Sequence, residues 1–158
     1  MKNFSHTDKS GKAKMVDVSS KEITVRTAEA FAEVQVSKKV FDKIKSNEIQ
    51  KGDVLAVAKI SGIQAAKKTS ELIPLCHNIF ISSIDVVLNL NEKKNTVEIK
   101  SLAKTIAQTG IEMEALTAVS ISALTIYDMC KALDKSITIK EIKLISKTGG
   151  KSGNFHHK

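Results

Sequence analysis

A carboxylate and an ammonium group three residues apart form the pair with the clearest chemical potential in this 158-residue sequence. Asp128 and Lys131 lie near the end of a helix predicted over residues 111–133, where side chains at i and i+3 share a face. Such a pair can move protons to and from a substrate without an external cofactor. The alternative interpretation is ordinary helix electrostatics, with acidic residues in the first turn and a lysine in the last.

The same predicted helix begins with two further acidic residues, Glu112 and Glu114. Glu114 precedes Asp128 by 14 residues, which is roughly 21 Å along a helix axis at about 1.5 Å per residue. A small-molecule pocket rarely spans that distance. If both acids serve catalysis, they belong to different copies of the site, or one pocket combines residues from two chains.

Two other segments carry groups suited to catalysis or binding. His77, which follows Leu75 and Cys76, can transfer protons near neutral pH or hydrogen-bond a ring or phosphate. A structural histidine in a turn explains it equally well. Lys51 and Asp53 flank a glycine at the start of a second predicted helix, a place suited to anions, although a solvated lysine is the commoner outcome.

Spacing argues against two familiar motifs. Residues 147–153 read Lys-Thr-Gly-Gly-Lys-Ser-Gly, but they lack the upstream glycine and the following helix of a P-loop. Both a phosphate-contacting tail and a plain solvated tail stay open for this segment. Zinc binding by Cys76, His77 and Cys130 is disfavoured, because adjacent residues rarely ligate one metal and the usual paired spacing is missing.

The charge distribution bears on nucleic-acid binding. The chain has 25 basic and 17 acidic residues, a net charge of +8, yet residues 15–130 are neutral overall and the excess lies in residues 1–14 and 131–158. With five Phe, one Tyr and no Trp, few side chains can stack on bases. An RNA-binding module is the alternative from another functional class, and it predicts binding that weakens steeply with salt.

The longest charge-free runs place the chain outside the membrane classes. Residues 72–84 and 115–127 are 13 residues each, whereas a membrane span needs about 20 apolar residues. The N-terminus lacks the apolar stretch of a secretory signal, and two cysteines make no disulfide framework. We therefore expect a cytoplasmic protein that does not bind membranes.

The pattern of apolar residues predicts an α+β domain with an antiparallel sheet and helices packed on one side. Strands are predicted at 23–36 and 136–145, and a hairpin is predicted around residues 91–95. A short helix follows Ser37 and buries Val40, Phe41 and Ile44. The next helix has its apolar side formed by Val54, Leu55, Ala58, Ile60 and Ile63. The helix over 111–133 is apolar almost all round, so its second side is expected to meet another chain, which makes a homo-oligomer.

Several phrases of the sequence, in order, closely resemble the MoaC family. They are Met15-Val16-Asp17-Val18-Ser19, Lys51-Gly52-Asp53-Val54, Gly62-Ile63-Gln64-Ala65-Ala66-Lys67, Leu72-Ile73-Pro74-Leu75-Cys76-His77, Gly110-Ile111-Glu112-Met113-Glu114-Ala115-Leu116-Thr117, Ala123-Leu124-Thr125-Ile126-Tyr127-Asp128-Met129-Cys130-Lys131 and the 147–153 segment. The resemblance extends over residues 15–153. It implies one catalytic domain there, preceded by a flexible segment 1–14 and followed by a tail 154–158 without an assigned role.

The resemblance implies a ferredoxin-like fold assembled as a hexamer of three dimers, with active sites at subunit interfaces. It also implies a lyase of molybdenum cofactor biosynthesis. This activity converts 3′,8-cyclo-7,8-dihydro-GTP to cyclic pyranopterin monophosphate and releases diphosphate. No metal or organic cofactor is expected.

Roles carry over where residues match the family pattern. Asp128 resembles the catalytic acid/base, Lys131 its partner in proton transfer, and Lys51 a catalytic lysine supplied from the other chain. The substrate-binding residues implied by the resemblance are Leu75, Cys76, His77, Met113 and Glu114, supported by Glu112, Arg26, Lys67 and Lys147. Retention of this catalytic set argues against an inactive homologue.

Two positions depart from the family pattern. Asn78 stands where a proline commonly follows the histidine, which makes the turn less rigid. Thr148 replaces a common serine and keeps the hydroxyl. Neither change touches a predicted acid/base residue.

Overall fold

The computed structural model describes residues 10–151 and 153–158. Most of the predicted flexible segment 1–14 therefore lies outside the described residues. In chain order the elements are β1 (Thr24–Gln35), α1 (Lys38–Lys45), α2 (Val54–Ala66), α3 (Thr69–Leu72), β2 (Ser83–Asn91), β3 (Thr96–Ala107), α4 (Glu112–Cys130), β4 (Thr138–Thr148) and β5 (Phe155–His156).

The strands form one antiparallel sheet in the order β2-β3-β1-β4-β5. Its first four strands have the ferredoxin-like arrangement, in which a βαβ unit and a second one interleave so that β1 and β3 lie at the centre. The predicted α+β class, the ferredoxin-like sheet and the hairpin of β2 and β3 are confirmed. In that hairpin Asn91 pairs with Thr96 at the turn.

Alternating side chains explain why the sheet buries one face. Along β3, Val97, Ile99, Ser101 and Ala103 are buried, while the residues between them face away from the helices. Small residues of β1 oppose them on the same face and leave room for a helix to lie close. Those residues are Ala28, Ala30, Ala32 and Val34.

The long helix α4 lies on this face, against β1, β3 and β4, and α2 packs beside it and against β2. The two helices run antiparallel, because the Ser122 hydroxyl donates to the Ala58 carbonyl oxygen (2.9 Å) and Gly62 lies next to Ala118. A side chain at Gly62 would stand 2.8 Å from the Ala118 carbonyl oxygen, so glycine permits this close crossing.

Part of the apolar surface of α4 is covered within the chain. α2 packs along one flank of α4, whereas Met113 and Leu124 are exposed and Leu116 is only partly buried. The contact of α4 with a second chain therefore stays a prediction.

The uncovered face of the sheet carries the larger apolar surface. Val25 and Ile106 are paired across β1 and β3, and both are more than half exposed. Leu102 is similarly exposed and lies opposite Glu29 on the same face. Apolar groups in this number on an open sheet face are typical of a surface that binds another protein.

Two local predictions differ from the structure. Ile60 is predicted on the buried side of its helix, but it is 60% exposed, because Gly62 and Ala58 form the side that meets α4. The last strand is β5, which pairs with Ser146 and Lys147, so part of the predicted tail belongs to the sheet.

Among the described residues, no helix has both the length and the apolar character that a bilayer span requires.

Candidate active site

Three charged side chains meet where α4 ends. The Lys131 ammonium lies 2.6 Å from Oδ1 of Asp128, and the Lys51 ammonium lies 2.8 Å from Oδ2. Lys51 also donates to the main-chain carbonyl oxygen of Asp128 (2.9 Å). All three side chains are about half exposed. A carboxylate with one lysine on each oxygen is therefore presented to solvent; we call it the lysine–aspartate triad.

The triad fixes its own charge state. Hydrogen bonds from Lys131 and then Lys51, together with their positive charges, lower the pKa of Asp128 to about 2. The hydrogen bond to Asp128 raises the pKa of Lys131 above its ordinary value. At neutral pH the carboxylate of Asp128 is ionised and Lys131 is protonated. The transferable proton of this pair is therefore carried by the lysine and not by the carboxyl group.

The structure corrects the expected origin of Lys51. The resemblance implied that this lysine comes from a different chain than Asp128, but both belong to the same chain. The antiparallel packing of α2 on α4 is the reason, because it brings the start of α2 next to the end of α4. Asp53 caps α2 by accepting from the Ala56 amide (2.9 Å), which fixes the turn that carries Lys51.

A cavity of about 370 Å³ lies at the other end of α4. It is built from the loops before α4 and β2, the start of β1 and the end of β4. Eight of the nine predicted substrate-binding residues line it, namely Arg26, Leu75, Cys76, His77, Glu112, Met113, Glu114 and Lys147. We call this space the acidic-end cavity.

Two basic residues of the acidic-end cavity are held in place by hydrogen bonds. Lys147 donates to Glu112 Oε1 (2.7 Å), which joins the end of β4 to the first turn of α4. Arg26 donates from Nε to the Ala107 carbonyl oxygen (2.9 Å) and from Nη2 to the Gln108 carbonyl oxygen (3.0 Å). The guanidinium is thus oriented by main-chain acceptors that leave its positive charge available for an anion.

The tautomer of His77 follows from its partner. Nε2 lies 2.7 Å from the Val16 carbonyl oxygen, which can only accept, so Nε2 carries the hydrogen. Nδ1 is then the nitrogen free to accept a proton or a hydrogen bond.

Glu114 is the buried acid of the cavity, with 4% of its surface exposed. Burial raises its pKa from 4.5 to about 7, and the neighbouring charge of Glu112 adds to the rise. At neutral pH this carboxyl group is close to half protonated, which suits a residue that both donates and accepts protons.

The raised pKa of Glu114 predicts a pH-dependent stability. Between pH 4.5 and 7 the folded state holds a proton that the unfolded state has lost, so the free energy of unfolding falls as pH rises. Above pH 7 the loss is complete and amounts to about 3 kcal/mol. Glu114→Gln should therefore be more stable than the wild type at pH 8 and nearly equal to it at pH 4. Urea unfolding of both proteins at the two pH values checks this, and an equal difference at both would contradict it.

Two parts of the predicted site are not brought together within one chain. The lysine–aspartate triad and the acidic-end cavity lie at opposite ends of the unbroken helix α4, so Glu114 and Asp128 are separated by about 21 Å along its axis. Lys67 belongs to neither set: it lines a different cavity of about 630 Å³ with residues 78–84.

Several cavity residues were not identified from the sequence. Lys21, Gln108, Thr109 and Gly149 also line the acidic-end cavity. Lys21 and Gln108 carry no motif, whereas the Gly149-Gly150 pair was a visible signal of an unusual backbone. Gly149 has a φ of +87° and its α-carbon hydrogen points at the Val25 carbonyl oxygen, which a side chain would meet at 2.3 Å.

Neither cysteine has the properties of a nucleophile. Burial raises the pKa of Cys76, and it raises that of Cys130 to about 11, so both remain thiols at neutral pH. Within the described part of the chain, no group of three or more His, Cys, Asp or Glu side chains is arranged to hold a metal ion.

Comparison with known proteins gives one consistent result. Residues 15–150 match the MoaC family. Relatives named cyclic pyranopterin monophosphate synthase include one from Peptoclostridium acidaminophilum, 53% identical over 152 residues and 96% of each chain. One from Bacillus mycoides is 53% identical over 157 residues and 98% of each chain. Another, from Clostridium acetobutylicum, is 51% identical over 152 residues, covering 96% of this chain and 94% of its own. With agreement of this extent, and with the predicted residues gathered at the two ends of α4, the chain belongs to the MoaC family.

Proposed function

We propose that this protein is a lyase that converts 3′,8-cyclo-7,8-dihydro-GTP to cyclic pyranopterin monophosphate and diphosphate, in molybdenum cofactor biosynthesis in the cytoplasm. The names of the relatives support the reaction. The observation that carries the proposal is the pair of complementary clusters: a cavity with Arg26, His77, Glu114 and Lys147, and an exposed triad of two ammonium groups and one carboxylate.

The complete active site combines the cavity of one chain with the triad of another. Neither cluster alone has both a cavity for the substrate and the lysine–aspartate triad. The continuous helix α4 keeps the two clusters apart within one chain. The exposed apolar face of the sheet supports assembly, since Val25, Leu102 and Ile106 leave a surface that favours burial. A homohexamer built as three dimers, as the family resemblance implies, would repeat this composite site by symmetry.

The triad supplies protons. A carboxyl group with a pKa of about 2 is a weak proton acceptor, so Asp128 acts chiefly by orienting the two ammonium groups and by keeping Lys131 charged. Lys131 and Lys51 are then the donors as the guanine-derived ring opens and the pyranopterin forms. A lysine that has given up its proton becomes the base for the next transfer.

The cavity binds the substrate and assists closure of the cyclic phosphate. In that step a ribose-derived hydroxyl oxygen attacks the α-phosphorus, the bond to the β,γ-diphosphate breaks, and the hydroxyl proton passes to a base. Arg26 and Lys147 offset the negative charge around the α-phosphate as its bond to the departing diphosphate breaks. His77 Nδ1 and the half-protonated Glu114 are the groups of the cavity able to accept protons.

A turnover assay tests the reaction. Purified protein is mixed with substrate prepared by a radical enzyme acting on GTP. Diphosphate is measured with a coupled phosphatase, and the product is oxidised to a fluorescent pterin. We expect diphosphate and pterin in equal amounts. Absence of both, with the substrate left intact, would refute the proposal.

A further inference from the structure

A second cavity adjoins the acidic-end cavity, and the proposed reaction described above gives it no role. It has a volume of about 690 Å³ and lies between the segment before β1 and the glycine turn after β4. Its lining residues are Ser20, Lys21, Glu22, Thr24, Arg26, Gly150 and Lys151. Lys21 and Arg26 line both cavities, so the two spaces meet at these side chains. We call it the basic cavity.

The basic cavity has an excess of positive charge. Three cationic side chains line it against one carboxylate, Glu22. Among residues 10–151 and 153–158, no carboxylate forms an ion pair with Lys21, Arg26 or Lys151, although ten ion pairs occur elsewhere in that part of the chain. Three cations that line one cavity beside a single carboxylate, without an ion pair to it, favour an anionic ligand.

The glycine turn after β4 lies against one of these cations, the guanidinium group of Arg26. Gly150 has a φ of +78°, and a side chain there would stand 2.2 Å from Nη1 of Arg26. The main chain of the turn therefore lies directly against the guanidinium of Arg26. The same guanidinium donates hydrogen bonds to the carbonyl oxygens of Ala107 and Gln108. A residue with a β-carbon would displace Arg26 from the point where the cavities meet.

We infer that the basic cavity binds the β,γ-diphosphate of the substrate and then the released diphosphate, with Lys21 and Lys151 as ligands and Gly150 as a positioning residue for Arg26. This inference rests on the proposed function. The acidic-end cavity contains Glu112 and Glu114 and is the poorer place for a polyphosphate, whereas the α-phosphate at Arg26 would lie between the two spaces. The basic cavity thus separates the leaving group from the ring chemistry.

Binding of inorganic diphosphate tests the ligand assignment directly. Titration calorimetry on the full chain at about 0.15 M salt should show Lys21→Ala and Lys151→Ala each weakening the affinity about tenfold, the loss typical of a charged hydrogen bond. Lys39→Ala removes an exposed lysine of α1 and should leave the affinity within about twofold of the wild type. Unchanged affinity in both cavity variants, or no binding by the wild type, would overturn the inference.

Gly150→Ala tests the positioning role, and Gly11→Ala is its matched control. The two glycines have φ values of +78° and +80°, but nothing lies within 4 Å of a side chain at Gly11. Both variants place a side chain at a positive φ, but only Gly150→Ala also displaces Arg26. Gly150→Ala alone should therefore lower kcat and weaken the affinity for diphosphate, each about tenfold, since Arg26 binds the phosphates and offsets their developing charge. Equal kcat values and equal diphosphate affinities in the two variants would show that contact with Arg26 is irrelevant.

The two proposals fail separately. If the wild type turns over the substrate but its affinity for diphosphate is independent of Lys21 and Lys151, the inference is wrong and the proposed function stands. If diphosphate binds through these lysines and no product forms, the basic cavity is an anion site and the proposed function is wrong.

Discussion

Replacement of Lys131 by alanine is expected to lower kcat by about a thousandfold, the middle of the range for loss of a general acid. The structure gives the reason: Lys131 lies 2.6 Å from Asp128, which raises its pKa and keeps it protonated at neutral pH. Alanine removes the proton donor and frees one oxygen of the carboxylate. Steady-state turnover, measured by diphosphate release, checks the loss.

A second exposed ion pair provides the control for this variant. Lys59 and Asp85 lie 2.7 Å apart, with side chains exposed to nearly the same degree as Lys131 and Asp128. Lys59→Ala therefore removes an equivalent surface charge and an equivalent salt bridge, and should keep near-normal turnover. If Lys131→Ala and Lys59→Ala have similar kcat values, the lysine–aspartate triad is not the proton donor.

Mixing two inactive variants is expected to restore activity, the second large effect. Arg26→Ala damages the acidic-end cavity, and Lys131→Ala damages the triad at the other end of α4. If each active site takes its cavity from one chain and its triad from another, random co-assembly leaves about one site in four with both parts intact. Turnover of the co-expressed proteins should rise from a background near zero to about a quarter of the wild-type value.

The control for this experiment uses two lesions at the same end of the helix. Co-assembly of Lys131→Ala with Asp128→Asn leaves no chain with an intact triad, so activity should stay at background. Activity above background in this control would show that the recovered turnover does not come from combining an intact cavity with an intact triad. No recovery with Arg26→Ala would show that each site is built within one chain.

Local features of the site could be predicted from the sequence because they depend on short-range geometry. Asp128 and Lys131 are one helical turn apart, and any helix through them brings their side chains to one face. The 14-residue spacing from Glu114 to Asp128 follows from helix rise alone, and the unbroken α4 confirms it. The hairpin of β2 and β3 was likewise readable from alternation around a short polar loop.

Features that depend on packing between distant segments could not be predicted in this way. Lys51 and Asp128 are 77 residues apart and meet only because α2 runs antiparallel to α4. On α2 the prediction was wrong for Ile60, which is exposed, and it did not identify Gly62, which together with Ala58 makes the close contact with α4. Periodicity identifies an apolar side only when polar residues occupy the other.

Strand β5 changes how the end of the chain should be handled in the laboratory. Its residues pair with Ser146 and Lys147, and the His157 amide donates to the Ile145 carbonyl oxygen (2.8 Å). The glycine-rich stretch between β4 and β5 thus has a paired strand on each side. A purification tag fused after Lys158 would be attached next to β5 and could disturb its pairing with the end of β4, which carries Lys147. Deletion of the last four residues would remove β5 and this pairing altogether. Affinity handles and truncations for crystallisation belong at the opposite terminus.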